Sequence, residues 1–367
     1  VIGEEPSKIR THEASATAFI VAALTAVGVS EDDARDVAEV LIAADLRGVE
    51  SHGIARLDHF YVRRIEAGVV NPRPAMTVVR ELPALTAFDA GCGLGHPASK
   101  RAMERTIAKA REHGIAFSTV RNSNHFGIAG YYAMMALSDD MIGIAMTNAT
   151  RLAVATFGRE KIAGTNPIAV AIPANSEPPF VLDMATTGVT FGRVEVAERK
   201  GKELGRGWAI DGEGNETRDP QVAKTKGALL PLGGAGTENG GHKGYGLMAL
   251  VEILCAVLGG APFGRDLKVP EDGLHGGLTS HFFGAMRIDA LRDLDAFKGD
   301  MDRELRTFKE SAAAPGQARV LVAGEPEYEF TERFRHEGVP INEKVWEALD
   351  GLAERVGIAK LERFTVE

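Results

Sequence analysis

Between residues 114 and 137 the chain reads GIAFSTVRNSNHFGIAGYYAMMAL, and this order constrains the fold more than any other stretch. An apolar strand pattern, a short polar loop and a helix-compatible run of small residues and methionine follow one another without a break. A strand delivered into a helix implies a sheet with helices packed on it. The connecting loop is where such a rigid scaffold displays chemistry while staying open to ligands. That loop places two amides, a hydroxyl and an imidazole (Asn122, Ser123, Asn124 and His125) in four positions with no proline. Asn and Ser favour turns for local reasons, so a turn with a helix cap and a solvated histidine is one reading. Proton transfer is the other, because imidazole titrates near neutral pH.

The flanking texture differs. Residues 14–27 are helix-compatible, and Gly28 suits the position after a helix end. Ser30 followed by Glu31, Asp32 and Asp33 marks a second helix start, with acidic residues where the dipole favours them. Val37, Val40, Leu41 and Ala44 supply its apolar face, and Gly48 ends it. A third helix is predicted over 53–67, with Leu57, Phe60, Tyr61 and Ile65 on one side, before Gly68 and the segment NPRP change the architecture. Beyond residue 75 short strands are predicted at 84–89, 114–120, 141–148, 167–172, 180–184 and 285–289, and helices at 97–112, 130–137 and 246–258. Strands outnumber helices and do not strictly alternate with them, which predicts an α+β class rather than a doubly wound sheet. Residues 199–226 are polar and Gly-rich and read as a long surface excursion. Residues 342–356 form an amphipathic helix expected to pack back on the N-terminal helices.

At 367 residues the prior is two domains. Hydrophobic content of 44% and charged content of 25% are ordinary for a soluble globular chain. A net charge of −9 without a basic block excludes a phosphate-tracking, nucleic-acid-binding surface. Two cysteines, Cys92 and Cys255, sit among apolar or small residues, so neither a disulfide framework nor a thiolate metal site is expected, and a reducing compartment is. No apolar run reaches the roughly 20 residues that cross a bilayer, and the opening VIGEEPSKIR lacks signal-peptide order. A cytoplasmic protein is the expectation.

Three further groups carry candidate chemistry. If Ser51 caps the third helix, His52 and Arg56 share a face one turn apart. The guanidinium could then clamp a carboxylate while the imidazole faces the neighbouring carbon; the bland alternative is a surface Arg beside a capping Ser. Residues 232–246, LGGAGTENGGHKGYG, lead into an apolar helix. Free backbone N–H groups and the dipole there favour an anion, with Lys243 adding charge, unless the glycines only permit tight turns. Asp183, at the end of an apolar strand in FVLDMATT, either orients an imidazole or water or caps the next turn. His281 reads as a core or interface histidine. GxGxxG after a strand is absent, the nearest run (Gly91 to Gly95, then His96 and Pro97) being wrongly spaced. No Walker loop or metal signature occurs, so no metal is expected.

Together these blocks resemble the malate/L-lactate dehydrogenase family of the non-Rossmann type, which also includes ureidoglycolate and sulfolactate dehydrogenases, diketogulonate reductase and cyclic imino acid reductases. The resemblance rests on DLRGVESHGIARL at 45–57, RNSNHFGIAGYY at 121–132, AGTNPIAVAIP at 163–173, VLDMATT at 181–187, RGWAIDGEGNETRDP at 206–220 and GGHKGYGL at 240–247. It implies a helical domain from both chain ends (1–75 and 332–367) and a mixed-sheet NAD(P)-binding domain without the Rossmann fingerprint (76–331). It further implies a homodimer and the reversible conversion of a 2-oxo acid to a 2-hydroxy acid with NAD or NADP.

By the same resemblance His125 is the acid/base candidate with His52 its rival, and Arg56 binds the substrate carboxylate with Ser51 and Asn124 nearby. Cofactor contacts carry over to Thr147, Asn148, Thr150, Asp183, Met184, Ala185, Thr186, Lys243, Gly324 and Glu325. Two departures, Phe157-Gly158 where relatives often read Gly-Gly and Thr187-Gly188 where Ser is common, leave NAD against NADP open. Hydride transfer to a ketone carbon leaves an alkoxide that needs a proton, a task suited to a histidine. The alternatives are reduction of a cyclic imine such as piperideine- or pyrroline-2-carboxylate, and a cofactor-independent lyase or hydrolase using the two histidines. A non-catalytic interaction role would leave His52, Arg56, His125 and Lys243 without purpose.

Overall fold

The computed structural model describes residues 7–267 and 278–366; the first six residues of the opening segment lie outside it. The chain begins with β1 (Ile9–Thr11), α1 (Glu13–Ala26) and α2 (Glu31–Leu46). Two 3-10 turns (Glu50–His52 and Ile54–Arg56), a π-helical stretch (Leu57–Val62) and α3 (Arg63–Glu66) follow. Next come β2 (Thr77–Leu82), β3 (Leu85–Asp89), α4 (Gly95–His113), β4 (Ile115–Ser123), α5 (Ala129–Met135) and β5 (Met141–Thr147). Then follow β6 (Ala153–Val154), β7 (Lys161–Ala163), β8 (Ile168–Ile172), β9 (Phe180–Met184) and α6 (Phe191–Arg199). β10 (Ala209–Ile210), β11 (Glu216–Thr217), α7 (Pro220–Thr225), β12 (Ala228–Leu229) and α8 (Gly241–Glu252), which continues as a π-helical turn over Ile253–Val257, precede β13 (Thr279–Arg287). The chain closes with α9 (Leu294–Lys309), α10 (Glu325–Glu337), β14 (Val339–Pro340), α11 (Glu343–Val356) and β15 (Phe364–Thr365).

A seven-stranded sheet runs in the order β2-β3-β4-β13-β5-β8-β9. β3 and β4 are parallel and the other neighbours antiparallel, so the class is α+β, as expected. A smaller sheet runs β11-β10-β12-β6-β7, and β14-β1-β15 ties the two chain ends together. One apolar core joins α1, α2, the 54–65 segment and Trp346, Leu349, Leu352 and Ala353 of α11. α11 thus packs on the N-terminal helices as its pattern required, with the Asn342 side chain accepting from Lys344 N–H at its start. A second core lies between the large sheet and α4 and α5. α2 serves both: Val37 and Leu41 face the first, Val40 and Ala44 the second.

Three sequence readings change. β13 starts six residues before the predicted 285–289 strand, because TSHFF hides an apolar pattern behind polar residues whose partners, Ser123, Thr147 and Asn148, come from distant segments. His281 is fully buried, its Nδ1 2.8 Å from Thr147 Oγ1 and its Nε2 2.8 Å from Ser123 Oγ, so it is a core histidine. The stretch 199–226 is not simply an excursion: Leu204, Ala209 and Ile210 are buried, and β10 pairs with β12, which extends to β6. Those pairings are non-local, and a local pattern does not show them. The predicted third helix is the most consequential change, because it carries candidate site residues.

Candidate active site

Gly53 breaks that helix. Its backbone is extended (φ −90°, ψ −152°), and a Cβ there would overlap the Asp45 carboxyl. Asp45, buried at the end of α2, accepts the Ile54 N–H at 2.7 Å and so does the capping that the sequence assigned to Ser51. Burial raises the Asp45 carboxyl to about 8. Ser51 instead sits inside the first 3-10 turn, with Oγ 2.8 Å from His52 Nδ1. Its carbonyl accepts Arg56 Nε at 2.6 Å. The result keeps His52 and Arg56 together, but through two tight turns rather than one helical face.

The π-helical stretch that follows delivers Phe60 and Tyr61 to the same place. Arg56 lies 4.8 Å over the Phe60 ring. Buried Tyr61 places its hydroxyl 2.7 Å from His125 Nδ1. His52 and His125 stack with ring centres 5.5 Å apart and planes 26° apart. The structure therefore brings Ser51, His52, Arg56 and His125 into one cluster from two distant segments.

The His125 loop is held from beneath. Asn124 is buried and donates its amide to the carbonyls of Cys92 and Gly93 at 3.1 and 2.9 Å, which places it behind the loop. Asn122, in the left-handed region at φ 52°, donates to Asp89 at 2.8 Å. Gly127 N–H points to His125 Nδ1 at 3.3 Å. A backbone N–H only donates, so Nδ1 is the acceptor, Tyr61 donates to it, and the neutral ring carries its proton on Nε2. Among the described residues Nε2 has no protein partner, and the ring is half-buried. Loss of hydration, then the positive charge of nearby His52, His96 and Arg56, pushes His125 well below its ordinary pKa. Burial, then the charge of Arg56, brings His52 down to about 4.

The residues with proposed cofactor contacts form a second strip. Asp183 Oδ2 accepts Gly130 N–H at 2.8 Å at the start of α5, linking β9 to the His125 loop. Val181, two residues earlier, donates to Ala323 O at 3.2 Å, which brings Gly324 and Glu325 alongside. Glu325 is buried and pairs with Lys309 at 3.2 Å. Met184 and Ala185 are half-buried; Thr186 is buried and bonds the Thr165 and Asn166 carbonyls. Leu232 N–H donates to Thr186 O at 2.9 Å, leading into the Gly-rich loop and Lys243. Thr147 is engaged by His281, while Asn148 is buried with its Nδ2 unpartnered among the described residues; Thr150 is half-buried. At its far end the strip reaches α6, where Gly192 lies against Ser51 and Arg56.

The sequence did not single out Tyr61, Asp45 or Glu195. Its spacing puts Tyr61 on the apolar face of an α-helix, and only the π-helical turn aims its hydroxyl at His125. His96, noted only beside a failed glycine motif, is fully buried edge-on to Tyr61 at 4.8 Å, with both ring nitrogens unpartnered among the described residues.

A large mixed sheet with a histidine pair and an arginine beside an irregular helical hairpin defines a dehydrogenase-type scaffold outside the Rossmann class. The chain belongs to the malate/L-lactate dehydrogenase family, whose pattern matches residues 11–350. It is similar to malate dehydrogenase of Pyrococcus abyssi (44% identical, covering 94% of each chain). It is also similar to L-sulfolactate dehydrogenase of Methanocaldococcus jannaschii (38%, covering 93% and 95%). The structure of malate dehydrogenase from Pyrococcus horikoshii OT3 superposes with a TM-score of 0.89 at 41% identity over 98% of this chain and 99% of that one. Delta1-piperideine-2-carboxylate reductase from Pseudomonas syringae shares the fold at 27% identity and a TM-score of 0.82. The protein is thus an oxidoreductase of the malate, sulfolactate and lactate dehydrogenase type.

Proposed function

We propose that the protein interconverts a 2-oxo acid and a 2-hydroxy acid using NAD or NADP, with His125 as the acid/base group and Arg56 as the carboxylate clamp. The observation that carries this reading is the orientation of His125: Tyr61 and Gly127 both address Nδ1, leaving Nε2 unpartnered among the described residues on a ring that stacks with His52 and packs on Phe60, over which Arg56 lies. A bound nicotinamide would supply or accept the hydride. Arg56, with Ser51 fixing its Nε, holds the acid in place so that the reacting carbon is oriented. The acid's negative charge offsets the cations that depress His125, so the ring takes up a proton as substrate binds. In reduction the imidazolium gives its Nε2 proton to the nascent alkoxide, leaving Nδ1–H bonded to Tyr61, whose hydroxyl turns from donor to acceptor; the longer 3.3 Å contact from Gly127 N–H is lost while Nδ1 carries a proton and returns when Nδ1 releases it. Oxidation runs these transfers in reverse. Asn124 supports the loop from behind.

The second strip fits a dinucleotide. Asn148 Nδ2 is a buried donor without a partner, and Lys243 is an exposed cation without an ion-pair partner, both among the described residues. Lys243 stands in the first turn of α8, where backbone N–H groups also favour phosphate. Asp183, Met184, Ala185, Thr186, Gly324 and Glu325 would line the remainder, with Thr147 and Thr150 flanking Asn148.

The same reading divides the chain into a helical domain (1–75 and 332–367) and a cofactor domain (76–331) in a cytoplasmic homodimer. An exposed apolar row on α8 and its extension, Leu247, Leu250, Ile253 and Val257, supports pairing of two copies. No helix among the described residues is long and apolar enough to cross a membrane.

The test is oxidation of NADH and NADPH with pyruvate, oxaloacetate and glyoxylate derivatives. Turnover with at least one acid is expected; none across the panel with either cofactor overturns the reading. Absence of NAD(P)H binding by fluorescence would favour a cofactor-independent lyase or hydrolase instead.

A further inference from the structure

Arg56 does not present its whole guanidinium to a ligand. Nε is committed to the Ser51 carbonyl at 2.6 Å, so a two-pronged grip on a carboxylate must use Nη1 and Nη2. Nη2 already faces a carboxylate: Glu195 Oε2 of α6 lies 3.9 Å away. Local backbone makes that approach possible. Gly192, one turn earlier on the same helix face, packs where a Cβ would come 3.2 Å from Ser51 Cβ and 3.4 Å from Arg56 Nη2. Without a side chain there, α6 closes on the two 3-10 turns and Glu195 reaches the guanidinium. Both side chains keep partial solvent access, at 22% for Arg56 and 34% for Glu195, so the contact is exchangeable rather than a sealed core pair.

We propose that Glu195 is a specificity-determining residue that competes with the substrate carboxylate for Arg56 and discriminates among 2-oxo acids by their charge. The proposal rests on the reading of Arg56 as the carboxylate clamp. An incoming acid must share Nη2 with Glu195 or push it aside, which weakens every acid. Glu195 then stays beside the bound carboxylate, so a substrate with a second anionic group meets like charge at short range. The penalty is therefore larger for a dianion such as oxaloacetate than for a monoanion such as pyruvate.

The test measures kcat and KM for pyruvate and oxaloacetate in wild type, Glu195→Gln and Glu195→Lys, with thermal midpoints alongside. Glu195→Gln is expected to lower KM about two- to fivefold for pyruvate, the scale of a partly exposed ion pair, and further for oxaloacetate. Glu195→Lys is expected to continue the trend, so KM falls in the order Glu, Gln, Lys and the oxaloacetate-to-pyruvate preference rises in the same order. A merely structural role would not order KM by charge. Turnover with KM flat or rising across the three proteins overturns the Glu195 assignment alone. A wild-type enzyme that turns over none of the acids overturns the activity reading and this proposal with it. Should Glu195→Gln fold poorly, the charge order between wild type and Glu195→Lys decides the matter.

Discussion

The cluster around His125 and the strip leading to Lys243 solve the same problem, presenting polar groups from a rigid scaffold, in opposite ways. Around His125 the backbone leaves regular helix for 3-10 and π-helical turns, and the departure aims specific side chains: His52 and Tyr61 converge on one imidazole, with Arg56 over the adjoining Phe60 ring. Along the strip many side chains are turned inward or already bonded, as with Thr147, Thr186 and Glu325. There the glycines mainly allow close packing; a Cβ at Gly241, for example, would overlap the Gly234 carbonyl. The first region selects by side-chain geometry, the second by backbone and a few free donors. Substitutions should therefore hit catalysis hard in the first and cofactor affinity mildly in the second.

The sharpest way to break that contrast is His125→Ala. It is expected to lower kcat by about two to four orders of magnitude, the scale for loss of an acid/base group, with a smaller loss for His52→Ala. If steady-state kinetics give the reverse order, the acid/base role belongs to His52, and the Tyr61–His125 pairing is only structural. Arg56→Lys comes next, with KM for the 2-oxo acid raised about ten- to a hundredfold because an ammonium cannot make the two-pronged bond. A fall in kcat at unchanged KM would instead place Arg56 in transition-state stabilisation.

A third expectation concerns His96 beneath the cluster. Burial lowers it to about 3 in the folded protein, against about 6.5 in the unfolded chain. Between those values the unfolded chain binds a proton that the folded one does not, so stability is lost as pH falls below about 6.5. The loss is about 1.4 kcal/mol per pH unit. His96→Gln should remove that one-proton contribution to the slope, seen by denaturant unfolding at pH 5.5 and 4.5. An unchanged slope would show that His96 is already protonated in the folded state, and that the Tyr61–His96 contact is not a neutral one.

How much of this was legible in the chain follows the same division. The α1, α2, α4 and α11 helices carry apolar faces and end signals that act locally, and the sequence shows them. The His125 loop was readable because its four polar residues are adjacent. Tyr61 was not, since an apolar-face position in a predicted α-helix and a hydroxyl aimed at His125 differ only in the π-helical turn. Asp45 was missed because its partner, Ile54 N–H, is a backbone group freed when Gly53 breaks the helix. Glu195 was missed because its link to Arg56 spans 139 residues (195 − 56) and depends on Gly192. Polar residues of β13 disguised a central strand because their partners come from β4 and β5.

The smallest expected effect falls on the strip. Lys243 stands in the first turn of α8, the end of a helix where a positive charge is unfavourable. It is exposed, with no ion-pair partner among the described residues to offset that cost. A residue with only a structural role there would be better neutral. Lys243→Ala should therefore raise stability by about 0.3–1 kcal/mol while weakening cofactor binding by about two- to fivefold, the scale of one solvated charge contact. Opposite signs in unfolding and in NAD(P)H titration are the signature of a functional cation. Equal losses for NADH and NADPH would place Lys243 at a phosphate that both share, and a larger loss for NADPH at the 2′-phosphate. A drop in stability with unchanged cofactor affinity would remove Lys243 from the site and leave the strip with Asn148 as its free donor.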